Sequence, residues 1–278
     1  MSRFYVKKMN SQFWREQTVS LKRVLILCCL LLALSGCSSS SKGDDAREKK
    51  PRLRILFIGN SYTSVNDLPH LLAELAKAGG DEVETDIAAP GGFTLSAHLH
   101  SSQTLEKIKS VKWDWVVLQE QSQISSVEQF RTKTMYPAAI SLVKKVKETG
   151  ATPIFFETWA HRDGWKECGL PDYESMQLEI DRGYMGIAQK LKVSVAPVGY
   201  AWLQVRRQDP QLDLWQQDGS HPNQAGTYLA ACVIYAAIYH QSPEGLTYRA
   251  DLSSETAQLL QASAAKTVLN PLEQGNLP

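Results

Sequence analysis

From residue 53 onward, short apolar runs alternate with longer stretches of helical periodicity, and this constrains the fold more than any other feature of the chain. The runs cover 53–58, 83–89, 113–118, 152–157 and 193–197. Each is five to seven residues long, as suits strands of a buried parallel sheet. Between and after them lie helical patterns. Residues 67–79 place Leu68, Leu71, Leu72 and Leu75 on one face, with Asp67 as N-cap, Pro69 in the first turn and Gly79 as stop. Residues 140–149 are amphipathic, 176–191 read as helix, and 224–239 and 253–268 as two late helices. The alternation predicts an α/β fold, doubly wound into three α/β/α layers around a mostly parallel five-stranded sheet. No internal repeat or second boundary interrupts it, so residues 53–272 are expected to form one domain.

The residues before this domain read as an address. Residues 1–23 hold six basic side chains against one acid, Glu16. The uncharged apolar run 24–34 follows. Eleven residues rise only about 16 Å as a helix, against a hydrocarbon core of roughly 30 Å. A basic flank with a short apolar run is the pattern of an export signal. It ends Leu34-Ser35-Gly36-Cys37, which resembles the lipobox of bacterial lipoproteins. That resemblance implies cleavage after residue 36, lipidation of Cys37 and attachment to a membrane of the bacterial envelope. Ser38 in the next position points to the outer membrane in a Gram-negative cell. Residues 37–52 have no apolar periodicity and read as the lipidated cysteine and a flexible tether. Met9 is an alternative start.

Charge then excludes one class of partner. The whole chain carries a formal +1, but the first 36 residues hold a +5 excess, leaving about −4 on the 242 residues that follow. No nucleic-acid footprint is present. Five cysteines are too few for a disulfide scaffold. Whether Cys168 and Cys232 pair is left open, although Cys232 sits in an apolar helix like a buried thiol.

Two motifs lie where an α/β sheet places its ligands. The first expected strand ends in Gly59-Asn60-Ser61-Tyr62-Thr63, which brings Ser61 to the carboxyl edge of the sheet. Asp218-Gly219-Ser220-His221-Pro222 precedes a late helix, which Pro222 is suited to open. Two residues between Asp218 and His221 permit a turn in which the carboxylate meets imidazole Nδ1 and leaves Nε2 as a base. Thr63 replaces the second glycine of the Gly-x-Ser-x-Gly elbow, which excludes that signature. His98 and His100 could form a metal pair, but nothing nearby completes a site, and no metal or cofactor is expected. Trp159 and Glu157 end the fourth strand and could meet a sugar ring, with packing the stronger reading for Trp159. Trp215 and Tyr228 also read as packing residues.

Together these blocks resemble the SGNH, or GDSL-like, serine hydrolases, in a bacterial branch carrying Gly-Asn-Ser-Tyr, Leu-Gln-Glu-Gln-Ser and Asp-Gly-Ser-His-Pro. Pro90-Gly91-Gly92-Phe93-Thr94 matches the family's glycine block. The resemblance implies a flavodoxin-like three-layer α/β/α fold and a triad of Ser61, Asp218 and His221, with the Ser61 and Gly92 N–H groups in the oxyanion hole. One block departs from the family pattern. Leu118-Gln119-Glu120-Gln121-Ser122 stands where the family carries Gly-x-Asn-Asp, so the side-chain oxyanion donor falls to Gln121 or Gln119. Both alternate onto one strand face if the strand persists, and Gln121 lies nearer its end. The implied activity is ester hydrolysis, first of all deacetylation of O-acetylated glycans. A lipase or thioesterase, or a non-catalytic carbohydrate-binding lipoprotein, are the alternatives.

Overall fold

The computed structural model describes residues 52–270. The expected export signal, Cys37, the expected tether up to Pro51 and the last expected domain residues, 271–272, lie outside them. All five strands form where the apolar runs stand: β1 (Leu53–Ile58), β2 (Val83–Ala88), β3 (Trp115–Leu118), β4 (Thr152–Glu157) and β5 (Ser194–Pro197). They make one parallel sheet in the order β2-β1-β3-β4-β5. The central strands are apolar on both faces because both are covered: Ile55 to Ile58, Val116 and Phe155 are buried.

Nine α-helices of five or more residues are described. They are α1 (Leu68–Ala78), α2 (Leu95–Leu99), α3 (Ser102–Ser110), α4 (Ser122–Ser126), α5 (Tyr136–Glu148), α6 (Tyr173–Leu191), α7 (Val198–Gln208), α8 (Gln224–Tyr239) and α9 (Ser254–Leu269). In one layer α8 packs on α1, α7 and α9; in the other α5 touches α2 and α6, and α6 touches α4. Asp67 caps α1 as expected, accepting the His70 N–H at 3.3 Å. Helix α8 is apolar around nearly its whole circumference because neighbours surround it, and Tyr228 and Cys232 are fully buried there. Helices α2, α3, α4 and α7 form outside the stretches of expected helical periodicity. Helix α7 begins directly after Pro197 and contains Gly199, punctuation that reads as a break, and tertiary packing overrides it.

The strand order reverses beside β1. The chain goes from β1 to β2 on one side, then crosses to β3 on the other. The carboxyl ends of β1 and β3 therefore flank a switch point, where open α/β sheets leave a crevice.

Candidate active site

Ser61 leaves β1 at that crevice. The turn requires Gly59, because a Cβ there would stand 2.4 Å from both Gln119 Oε1 and Thr63 Oγ1. Asn60 then caps a single helical turn, Ser61–Ser64, by accepting the Tyr62 N–H at 3.0 Å. Its side-chain amide donates to the Phe93 carbonyl at 3.0 Å, which joins the serine turn to the glycine loop.

The second motif closes on the first. Asp218 Oδ1 accepts the N–H groups of Ser220 (2.9 Å) and His221 (3.0 Å), and Oδ2 meets His221 Nδ1 at 2.5 Å. Gly219, at φ +68°, supplies the left-handed step of this turn. Desolvation pushes the Asp218 carboxyl up. The Ser220 N–H, the His221 imidazole and the His221 N–H together outweigh it, and the pKa lies below the usual 3.8. With Nδ1 donating to Asp218, Nε2 is the acceptor, and it lies 2.9 Å from Ser61 Oγ. Pro222 does not open the following helix. It bridges to Trp215 while Asn223 caps α8 through the Gly226 N–H at 3.0 Å, because Asn satisfies a free helix N–H and Pro cannot.

Ser61 and His221 face a cavity of about 370 Å³. Gly91 and Gly92 form its second wall, and Gln121 and Ser122 its third. Gly92 adopts φ +73° in the turn before Thr94, which caps α2. The two glutamines part company because β3 ends at Leu118, so strand alternation does not carry on through them. Gln119 is fully buried beneath the serine turn. Its Oε1 accepts from the Asn60 N–H (2.8 Å) and the Thr63 hydroxyl (2.9 Å), and its Nε2 donates to the Glu120 carbonyl (2.7 Å). Gln121 caps α4 through Oε1, and its Nε2 donates to Gln123 Oε1 at 2.9 Å.

No family model matches the chain, and no curated protein does. Solved structures do match. A DUF4886-family protein from Bacteroides uniformis aligns with a TM-score of 0.67 at 20% identity, covering 82% of this chain and 100% of its own. A protein from Slackia heliotrinireducens assigned to the SGNH hydrolases aligns at 0.58 and 29% identity, covering 68% of this chain and 100% of its own. This is the SGNH-hydrolase fold. An acetyl xylan esterase shares it at a TM-score of 0.55 and 15% identity, over 67% of this chain and 100% of its own.

Within the SGNH fold, several side chains near the site have roles that spacing does not reveal. Trp159 is fully buried and stacked on Trp202 at 4.1 Å, which leaves no face for a sugar. Glu157 is also buried: its carboxylate accepts from the Gly199 and Tyr200 N–H groups and from Gln177 Nε2. Burial, then the nearby Asp181, raises its pKa well above 4.5. Trp215 and Tyr228 are buried as expected. His98 donates from Nε2 to the Gly59 carbonyl at 2.7 Å and accepts from Thr104 at 2.9 Å, so it buttresses the serine turn. His100 instead bonds the Ser96 carbonyl. Among the described residues no three His, Cys, Asp or Glu side chains gather as a metal site. Cys168 and Cys232 are both free thiols.

His161 is a residue the sequence reading missed. Its Nε2 lies 3.4 Å from Ser122 Oγ, on the cavity wall. Burial lowers its pKa; Asp218 raises it and His221 lowers it further. The available signal is its position four residues past the end of β4, at the same carboxyl edge as Ser61.

Proposed function

We propose that this chain belongs to the SGNH/GDSL-like hydrolases and is a serine esterase. The supporting observation is the relay from Asp218 through His221 to Ser61, opening on a cavity at the switch point. In this reading His221 takes the Ser61 hydroxyl proton as Oγ attacks the ester carbonyl. Asp218 holds the tautomer that leaves Nε2 free and stabilises the imidazolium. The N–H groups of Ser61 and Gly92 and the Gln121 amide receive the developing oxyanion. His221 returns the proton to the leaving alcohol, then activates water to release the acyl group. Gln119 is left out of this assignment because it is fully buried beneath the serine turn and, unlike Gln121, does not line the cavity.

The preferred substrate is an acetyl ester on a glycan. Tyr62 is the single large apolar side chain lining the cavity; the rest are glycines and small or polar residues. A long acyl chain needs apolar surface to bury. The acetyl xylan esterase with the same fold is consistent with this choice. Membrane attachment through Cys37 completes the reading, with the catalytic domain held at a bacterial envelope surface. The deciding experiment is fluorophosphonate labelling with p-nitrophenyl acetate hydrolysis in parallel. Both should vanish in Ser61→Ala. Turnover by that variant at the wild-type rate would sink the assignment. Acetate release from acetylated glycans should exceed release of long-chain acids, and the reverse preference would move the enzyme to the lipases. Cys37→Ser should shift the protein from the membrane to the soluble fraction.

A further inference from the structure

Two walls of the cavity come from different loops. Gly92 stands after β2 and Gln121 after β3, and one carboxylate spans the space between these loops. Glu120 has no solvent exposure. Its Oε1 accepts the Gln121 N–H at 2.8 Å and the Leu95 N–H at 3.2 Å; Oε2 lies 3.3 Å from the same Leu95 nitrogen. Leu95 is three residues past Gly92 and begins α2. The Glu120 backbone is held from behind by Tyr184 of α6, whose hydroxyl accepts the Glu120 N–H at 2.8 Å and donates to its carbonyl at 3.2 Å.

A buried carboxylate is a costly way to fill space, since desolvating it costs several kcal/mol. Burial lifts this one to a pKa of about 7, opposed by hydrogen bonds from Gln121 and Leu95. An apolar side chain would pack at less cost but could not accept either N–H. What the carboxylate supplies is one acceptor shared by two loops.

We infer that Glu120 is a positioning residue whose carboxylate ties the Gly92 loop to the Gln121 turn and so sets the spacing of the oxyanion donors that these two segments carry. The inference rests on reading the cavity as an oxyanion hole. Donors there act at about 2.7–3.1 Å from the oxyanion. A misplacement of about 1 Å costs on the order of 10²-fold in rate. Because the donors act on charge that develops only in the transition state, the loss should fall on kcat and spare KM.

The test uses the full chain in detergent, with p-nitrophenyl acetate as substrate and circular dichroism to give the folded fraction. Glu120→Ala should lower kcat of the folded protein about 10- to 100-fold with KM within about twofold of wild type. Glu120→Gln keeps one acceptor oxygen and should recover part of the loss, remaining about 3- to 10-fold below wild type. Folded Glu120→Ala with wild-type kcat, or with only KM raised, overturns the inference. If Glu120→Ala does not fold, Glu120→Gln decides: reduced kcat at constant KM supports the inference, and wild-type kcat overturns it. Ser61→Ala runs alongside. Activity surviving in that variant overturns the serine-esterase reading and this inference with it. An inactive Ser61→Ala beside a fully active Glu120→Ala overturns this inference alone.

Discussion

The ring of Tyr62 lies flat on that of Trp159, with centroids 4.6 Å apart and planes 11° from parallel. Tyr62 follows the candidate nucleophile and Trp159 follows the end of β4, so the stack joins two strand ends. It also carries the closing loop. Tyr62 shares a 2.7 Å hydrogen bond with Ser220 Oγ, Trp159 Nε1 donates to the Ser220 carbonyl at 3.0 Å, and His221 meets the Tyr62 ring edge-on at 5.8 Å. Ser61 and His221 are thus held in register by aromatic packing beneath them.

Truncating the two rings should therefore have unequal effects. Tyr62→Phe keeps the stack and loses the hydroxyl, which should cost about 1 kcal/mol in urea unfolding. Trp159→Ala opens a cavity under both loops and should cost about 3–5 kcal/mol. Equal unfolding midpoints for the two variants would contradict the stack's structural role.

Asp218→Asn should leave stability nearly unchanged and lower kcat by about 10³–10⁴. If Oδ1 keeps accepting from the Ser220 and His221 N–H groups, the new amide nitrogen faces His221 Nδ1. The imidazole must then carry its proton on Nε2, where it cannot accept from Ser61. Measuring kcat at saturating p-nitrophenyl acetate checks this. A loss below about tenfold would argue against the relay.

The neighbouring glutamines should separate cleanly. Gln121→Ala removes a cavity-lining amide and should lower kcat by about 10²–10³, with a change in stability of about 1 kcal/mol from the lost cap. Gln119→Ala strands the buried Asn60 N–H and the Thr63 hydroxyl, and should cost about 2–4 kcal/mol of folding free energy. Rate and urea measurements on both variants decide it. A Gln119→Ala protein as stable as wild type but catalytically dead would reverse the two assignments.

Glu120 should also leave a mark on stability against pH. Its pKa rises from 4.5 to about 7 on folding, so between these values the folded chain binds more protons than the unfolded chain. Its contribution is fully present below about pH 4.5 and falls as pH rises through about 7, by about 3 kcal/mol in all. Glu157 and Asp181 shift in the same direction through burial, so the difference between wild type and Glu120→Gln isolates the effect. Parallel stability curves for the two proteins from pH 4.5 to 8 would remove Glu120 as the source.

Much of this protein was legible in its sequence because the relevant physics is local. A strand buried on both faces must be apolar and short, and the five runs became the five strands. Asp218 and His221 stand three residues apart, so a single turn brings them together whatever the rest of the fold does. Other features depend on contacts between distant segments. Ser61 and His221 are 160 residues apart, and their 2.9 Å separation exists only because β1 and the loop before α8 end at the same sheet edge. The division of labour between Gln119 and Gln121 depends on where β3 stops, which is set by its pairing with β1 and β4. Trp159 was closed to ligands by Trp202 and Tyr62, and Glu120 was given its partners by α2 and Tyr184. The sequence by itself determined the strands, the winding and the short-range turn that orients His221. The tertiary structure alone decided which side chains reach the cavity, because burial and hydrogen-bond partners are properties of neighbours that the chain brings in from far away.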